Sequence, residues 1–376
     1  MLARHLDLEA HSALGELFDA GLHNGAILPA LAFLTGRRLK NPLPRADFNG
    51  VRGAVYFSAA AAAALLVRPD DTGDLGFFVH AAQKLLSADW ANVFSDPAVQ
   101  VSPLQLLLFG LGDLAGVLPF VVQLGTAALI WLVAGRLARP GLQLAVGLAA
   151  VGLGLTYGAY QDGHPAQVVV PLLWVLAGLE IRRGRGARAG ALLGLAAGFE
   201  LWGLLGAAVL VCAPRVRSAV AGLVTQVAVV AALFLPFVLA GEFRMFDFRW
   251  RVNGDTLLGL VVAPGTAFTW QMRVLQGLAA LAAGAAVAWT FRRSAQAVWL
   301  APLAVVAVRL GLDPVRYPWY WLALETCALL GAAAFLESDL VRSLRATPPG
   351  AREAPRSDRQ PSSAPARSPR TAPRTS

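Results

Sequence analysis

The sequence predicts an all-α, polytopic integral membrane protein. Two observations predict it. Of 376 residues, 56% are hydrophobic and only 15% charged, where soluble domains are nearer half and a quarter. The mean hydropathy is +0.57. The apolar excess is also clustered, in long Ala, Leu, Val and Gly runs almost free of charge and of membrane-crossing length. A disordered chain, a cytosolic enzyme, a small secreted scaffold and a nucleic-acid binder are all disfavoured.

Residues 1–49 form an N-terminal segment read as cytoplasmic. Leu14, Leu17, Phe18 and Leu22 fall on one face of a short amphipathic helix. Asp7 and Glu9 come early, and Arg37, Arg38 and Lys40 follow the apolar run instead of preceding it, so this is no signal peptide. The membrane domain covers 50–337. Its first span is 51–67, flanked by Arg45 and Arg52. A long polar stretch, 68–101, follows as the first outer loop; loops of this length are usually functional. Within it, 74–88 has helical character and Ser95-Asp96-Pro97 reads as a turn.

The run 103–134 is long for one crossing and short for two. Arg136 and Arg139 favour one net crossing, with a kinked helix at Leu118-Pro119. Spans at 141–158 and 165–181 follow, ending at Arg182, Arg183, Arg185 and Arg188. Arginines bracket 189–213 at both ends, so a helical hairpin broken near Glu200 is expected. The last spans are 218–240, 270–291, 295–311 and 318–336. The total is roughly ten membrane helices or half-helices, with 68–101, 159–164, 241–269 and 312–317 on the outer side. No fixed-period repeat and no inverted pair of broken helices stands out.

Residues 338–376 carry eight arginines against three acids, among many Pro and Ser. This basic tail cannot bury a core and reads as disordered. By the positive-inside rule it is cytoplasmic. Cys212 and Cys327 lie in apolar runs and read as small hydrophobes. There is no CxxC, HExxH or Walker loop.

Three segments carry the candidate chemistry. The first outer loop contains Asp74, which starts a helix beside the first span, then His80 and Gln100. Asp74 is either a helix cap or a proton acceptor at the lipid–water boundary. The second is Gln161-Asp-Gly-His164-Pro-Ala-Gln167, on the same side. His164 is either a phosphate or sugar ligand or a solvated turn residue before a helix-starting proline. The third is Asp313-Pro-Val-Arg316-Tyr317-Pro-Trp319-Tyr-Trp. Arg316 suits a phosphate, while the aromatics also suit an interfacial belt. Arg249 lies in the outer loop 241–269 with Asp247, Trp250, Arg251 and Asp255. Asp113, Glu200, Arg309 and Glu325 are costly inside spans and need partners or a cavity.

A first span, an outer Asp, a helix bearing Phe77 and Phe78, the Leu-Leu-Ser-Ala-Asp-Trp stretch and Gln100-x-x-Pro103-Leu104 together resemble the polyprenol-phosphate-sugar-dependent glycosyltransferases of the GT-C type. Within these the chain is most similar to the bacterial α-mannosyltransferase family 87, common in actinobacteria. The similarity spans 51–336, with its motifs at 70–105, 158–167 and 312–321. It implies a GT-C-like architecture, a polyprenyl-phosphate-linked sugar donor (mannose first), and a glycolipid or glycan acceptor in the cell envelope. It implies a plasma-membrane location with the active site on the outer face. Asp74 takes the place of the catalytic base. His164, Arg316, Gln161, Tyr317, His80, Gln100 and Arg249 are the expected substrate- or phosphate-binding residues. No protein metal ligand is expected, no cofactor is implied for certain, and a divalent cation is left open. Two departures, Glu200 where relatives carry a basic residue and Phe78 where Tyr is usual, imply an altered donor or acceptor. The rival is a non-enzymatic transporter or envelope-complex scaffold; a transporter should show polar residues at the membrane midplane, where Asp113, Glu200, Arg309 and Glu325 are its best candidates.

Overall fold

The computed structural model describes residues 50–66 and 73–338. The N-terminal amphipathic helix and the basic tail from 339 onward lie outside the described residues. The rest is mostly helical. Helix α1 is Val51–Leu66, α2 Leu75–Leu85, α3 Pro103–Leu114, α4 Leu118–Leu137, α5 Pro140–Gly152, α6 Gly158–Gln161 and α7 Ala166–Arg182. Then come α8, Gly186–Phe199; a 3-10 segment, Leu201–Cys212; and α9, Val216–Ala240. A two-stranded hairpin, β1 Trp250–Arg251 with β2 Ala267–Phe268, precedes α10 Trp270–Thr290, α11 Ala297–Gly311 and α12 Trp321–Leu336. The hairpin is antiparallel, with Trp250 opposite Phe268.

Four helical segments are long and apolar enough to cross a membrane: Leu118–Leu137, Val216–Ala240, Trp270–Thr290 and Pro318–Leu336. Most of the other expected spans are shorter apolar helices, such as Val51–Leu66 and Ala297–Gly311. On α9, Val220, Leu223, Val224, Val227 and Leu239 are all exposed. So broad an apolar face suits lipid better than water.

The 103–134 region differs from expectation. It is not one kinked helix but two, separated by Ala115–Val117 with Gly116 at φ +66°. Gly116 supplies the left-handed conformation the turn needs. A Cβ on Gly112 would lie 3.0 Å from Leu118 Cα, so the two helices pack closely at this corner. The twelve-residue α3 is too short to cross on its own.

The expected break at Glu200 is present. Glu200 is extended (φ −146°, ψ 143°) between α8 and the 3-10 segment. The chain doubles back there: a Cβ on Gly203 would come 2.3 Å from Ala196 C. Backbone broken between two apolar helical segments must be satisfied by protein. The end of the first outer loop does so, as Val101 bridges Glu200 and Ser102 N–H donates to Phe199 O at 3.1 Å.

Helix α7 is the axis. Nearly every residue from Ala166 to Ile181 is buried, as expected of a helix apolar all round. Gly186, Gly190, Gly194 and Gly198 recur every fourth residue on α8 and face α9. A Cβ on Gly190 would lie 2.0 Å from Gly222 O, and one on Gly194 2.5 Å from Val229 Cβ. Small residues at this spacing let two helix backbones touch. Gly190→Leu is therefore expected to destabilise the protein by about 3 kcal/mol or more, because backbone cannot retreat as a side chain can. A thermal-unfolding shift in detergent or nanodiscs measures it.

Contacts divide the molecule into two ends. At one end Arg182 Nη1 donates to Arg292 O (3.0 Å) and Ser294 O. Arg183 and Arg185 pair with Glu180 there, and Gly184 O accepts from Ser218 Oγ. At the other, Arg244 N–H donates to Phe94 O at 2.9 Å and Asn253 N–H to Pro314 O at 2.8 Å. The loops 73–101, 159–164, 241–269 and 312–317 are gathered at this second end.

Candidate active site

The site forms where α2 and α7 begin and the Glu200 break ends. Asp74 occupies the N-cap position of α2, yet its carboxylate makes no capping hydrogen bond. Its Oδ2 lies 3.0 Å from His164 Nε2 instead. The Asp74 side chain is 50% exposed and that of His164 only 9%. A partly open carboxylate thus sits on a buried imidazole. The second ring nitrogen, Nδ1, is 3.5 Å from Glu200 Oε1, within ion-pair reach although not an aligned hydrogen bond. Glu200 Oε2 accepts from Gln167 Nε2 at 2.9 Å and from the indole N–H of Trp202.

Burial opposes a charge on His164. The Asp74 hydrogen bond and the Glu200 carboxylate outweigh it and hold the imidazole above its ordinary pKa. The imidazole thus lies between two carboxylate side chains, and both contacts favour its protonated form.

Local sequence explains the placement. Gly163 has φ +76°, and a Cβ on it would lie 2.8 Å from Leu75 N and Cα. The turn before His164 therefore rests directly on the start of α2. Gln105 Nε2 donates to Gly163 O at 3.0 Å and locks that turn to α3. Gly163→Ala is expected to combine left-handed strain of about 1–2 kcal/mol with separation of His164 from Asp74. It should lower the melting temperature, read by thermal unfolding in detergent or nanodiscs.

An aromatic wall faces His164. Trp319 stacks on it (centroids 4.8 Å, 9° between planes) and Tyr317 stacks on Trp319 (4.6 Å, 5°). Phe78 meets the imidazole edge-on at 5.2 Å, and Trp250 meets Tyr317 at 5.7 Å. Burial and the nearby Asp74 charge hold the Tyr317 phenol above its ordinary pKa.

The expected site residues separate into groups. Asp74, His164 and Tyr317 come together. Gln161 lends its backbone: its carbonyl lies 3.2 Å from where a Gly73 Cβ would stand. Gln100 is a staple between loops, donating to Met245 O (2.9 Å) and accepting from Arg273 Nη1 (3.1 Å). Arg316 is exposed, with its guanidinium 5.4 Å from the Trp321 ring centroid. It sits at the rim next to Tyr317, not in contact with His164. Arg249 and His80 are exposed. Arg249 neighbours Trp250 in the wall, whereas His80 lies further along α2.

The four charged residues of the transporter reading do not share one place. Asp113 accepts from Gln83 at the far end of α3 (3.1 Å), and Glu325 lies within α12. Glu200 and Arg309 are neighbours through Trp202, with the Arg309 guanidinium 4.6 Å from that ring's centroid and Nη2 3.9 Å from Asp313 Oδ2. Burial raises the Asp313 pKa, while Arg309 pulls it back. Glu200, Gln167 and Trp319 are therefore site residues that sequence reasoning did not select. Gln167 and Trp319 lay inside the motifs already picked out, and Glu200 at the break already expected. Among the described residues no group of three His, Cys, Asp or Glu side chains is placed to hold a metal ion.

No family model, curated protein or solved structure matches the chain.

Proposed function

We propose that the chain is a membrane glycosyltransferase moving a sugar, mannose first, from a polyprenyl phosphate to a cell-envelope glycolipid or glycan. The observation that carries this reading is the half-exposed Asp74 carboxylate held 3.0 Å from buried His164 beneath stacked Trp319 and Tyr317. In this reading the four full-length helical segments and the shorter helices make about ten crossings or half-crossings in a GT-C-like arrangement. The arginine-rich end is cytoplasmic and the site lies at the outer face of the plasma membrane.

Each group then has a chemical role. An acceptor hydroxyl attacks the anomeric carbon as the bond to the phosphate oxygen breaks. The hydroxyl proton passes to Asp74, and the polyprenyl phosphate leaves as an anion. His164 lies between the Asp74 and Glu200 carboxylates, so its role is to orient Asp74. Glu200 holds His164 from behind, which gives a carboxylate at that position a purpose where a cation is expected. Arg316 has no acidic partner among the described residues and stands at the rim, where it can meet the departing phosphate. The dispersal of Asp113, Glu325 and the Glu200–Arg309 pair takes support from a transporter.

The test is a screen of lipid-linked sugar donors on membranes with and without the chain. Transfer from a polyprenyl-phosphate sugar only when the chain is present supports the reading. Equal transfer in both membranes removes it.

A further inference from the structure

The loop between α9 and α10 carries a feature the site does not use. From Thr256 to Met272 there is no charged residue, and 257–264 reads Leu-Leu-Gly-Leu-Val-Val-Ala-Pro. An apolar stretch this short is either a buried core segment or an interfacial one. It is not buried: Leu257 is 67% exposed, Leu260 77% and Val261 82%.

We propose that this segment is an apolar knuckle that dips into the outer-leaflet boundary of the bilayer, with acyl chains as its occupant. Three observations identify lipid as the partner. The knuckle is level with a helix end, since Leu257 Cδ1 lies 3.7 Å from where a Gly311 Cβ would stand, in the last turn of α11. Just past it in sequence, beyond buried Phe268, α10 opens with exposed apolar residues: Trp270, Val274, Leu275 and Leu278. Trp270, at the mouth of that helix, is the residue type that marks the membrane–water boundary.

The backbone is prepared for a dry setting. Gly259 N–H donates to Thr256 Oγ1 at 3.0 Å. Leu260, Val261 and Val262 N–H groups donate to Leu257 O, Leu258 O and Leu258 O at 3.2, 3.0 and 2.9 Å. Irregular backbone is excluded from hydrocarbon when its polar groups are open; here most donors of the tip are closed locally. The base is rigid, as Gly265 N–H donates to Val252 O (2.8 Å) and Asn253 N–H to Pro314 O. Exposed Arg249 and Arg251 precede the knuckle and suit the headgroup layer.

The test places a nitroxide on Val261→Cys and, separately, on Leu260→Cys, in the full chain in phosphatidylcholine–phosphatidylglycerol nanodiscs. Cys212 and Cys327 are buried, so the unsubstituted chain treated with the label is the blank. Asp255→Cys reports the aqueous side of the same loop. Oxygen collisions exceeding those of a water-soluble nickel complex at 260 and 261, with the reverse at 255, support insertion. Equal water exposure at all three positions overturns it. Protection from both reagents at 260 and 261 also overturns it, because a second copy or a protein partner then covers the knuckle. These outcomes do not depend on the transferase reading.

Discussion

Asp74→Asn is expected to lower sugar transfer by about 10²–10⁴-fold, the usual contribution of a positioned general base. The amide keeps the shape of the carboxylate and one oxygen within reach of His164, so the fold should survive and acceptor binding should change little. The loss then falls on the rate and not on the apparent affinity. Purified protein in nanodiscs, assayed over a range of acceptor concentrations, separates the two. Full activity in the Asn variant would remove Asp74 from the chemistry and the proposed mechanism with it.

The second large effect is on stability. His164 and Glu200 are nearly sealed from solvent, with side chains 9% and 10% exposed. His164→Leu leaves the Glu200 carboxylate with Gln167 and Trp202 as its hydrogen-bond donors among the described residues. Removing one partner of a buried pair typically costs about 3–5 kcal/mol. Adding Glu200→Gln should recover part of that loss, because the stranded charge disappears; a double-mutant cycle reads the coupling. The pH dependence has a defined sign. The folded-state pKa of His164 is raised, so its contribution is fully present below the ordinary histidine value of about 6.5. It fades as the pH rises through the raised folded value. The stability difference between the wild type and His164→Leu/Glu200→Gln should therefore shrink as the pH rises above about 6.5, in melting curves measured at the same pH values. A difference independent of pH would contradict the raised pKa of His164.

Much of the frame is legible in the sequence because charge and apolar length are local properties. The arginines on both sides of 189–213 leave a hairpin as the economical solution, and Glu200 is where the chain turns back. The expected grouping of the four outer loops follows from the same alternation; backbone hydrogen bonds join 73–101 and 312–317 to 241–269, and the Asp74–His164 contact brings in 159–164. The corner at Gly116 was not legible: one glycine among 37 gives no sign that its φ is positive. The glycine face of α8 is periodic in the sequence, but what it touches on α9 is a tertiary fact.

The site was legible in part for the same reason. Asp74 and His164 are 90 positions apart; sequence places both on one side of a membrane but does not fix a 3.0 Å contact. Glu200 looked like a carboxylate stranded in a span, because the break that carries it to His164 depends on Val101 and Ser102 satisfying its backbone. Trp319 looked like an interfacial aromatic until its ring was found stacked on the imidazole. Gln100 sat in the motif that suggested chemistry and turned out to hold two loops together. A polar residue in a short motif marks a place; its neighbours decide whether it binds substrate or backbone.

The most direct measurement is the stoichiometry of donor discharge. Purified wild-type protein in nanodiscs receives a polyprenyl phosphate carrying labelled mannose together with an envelope lipid extract. The account predicts label appearing in a glycolipid or glycan, one polyprenyl monophosphate released per sugar transferred, and neither product with Asp74→Asn. Intact donor in the presence of folded wild-type protein, across sugars and envelope extracts, would contradict it.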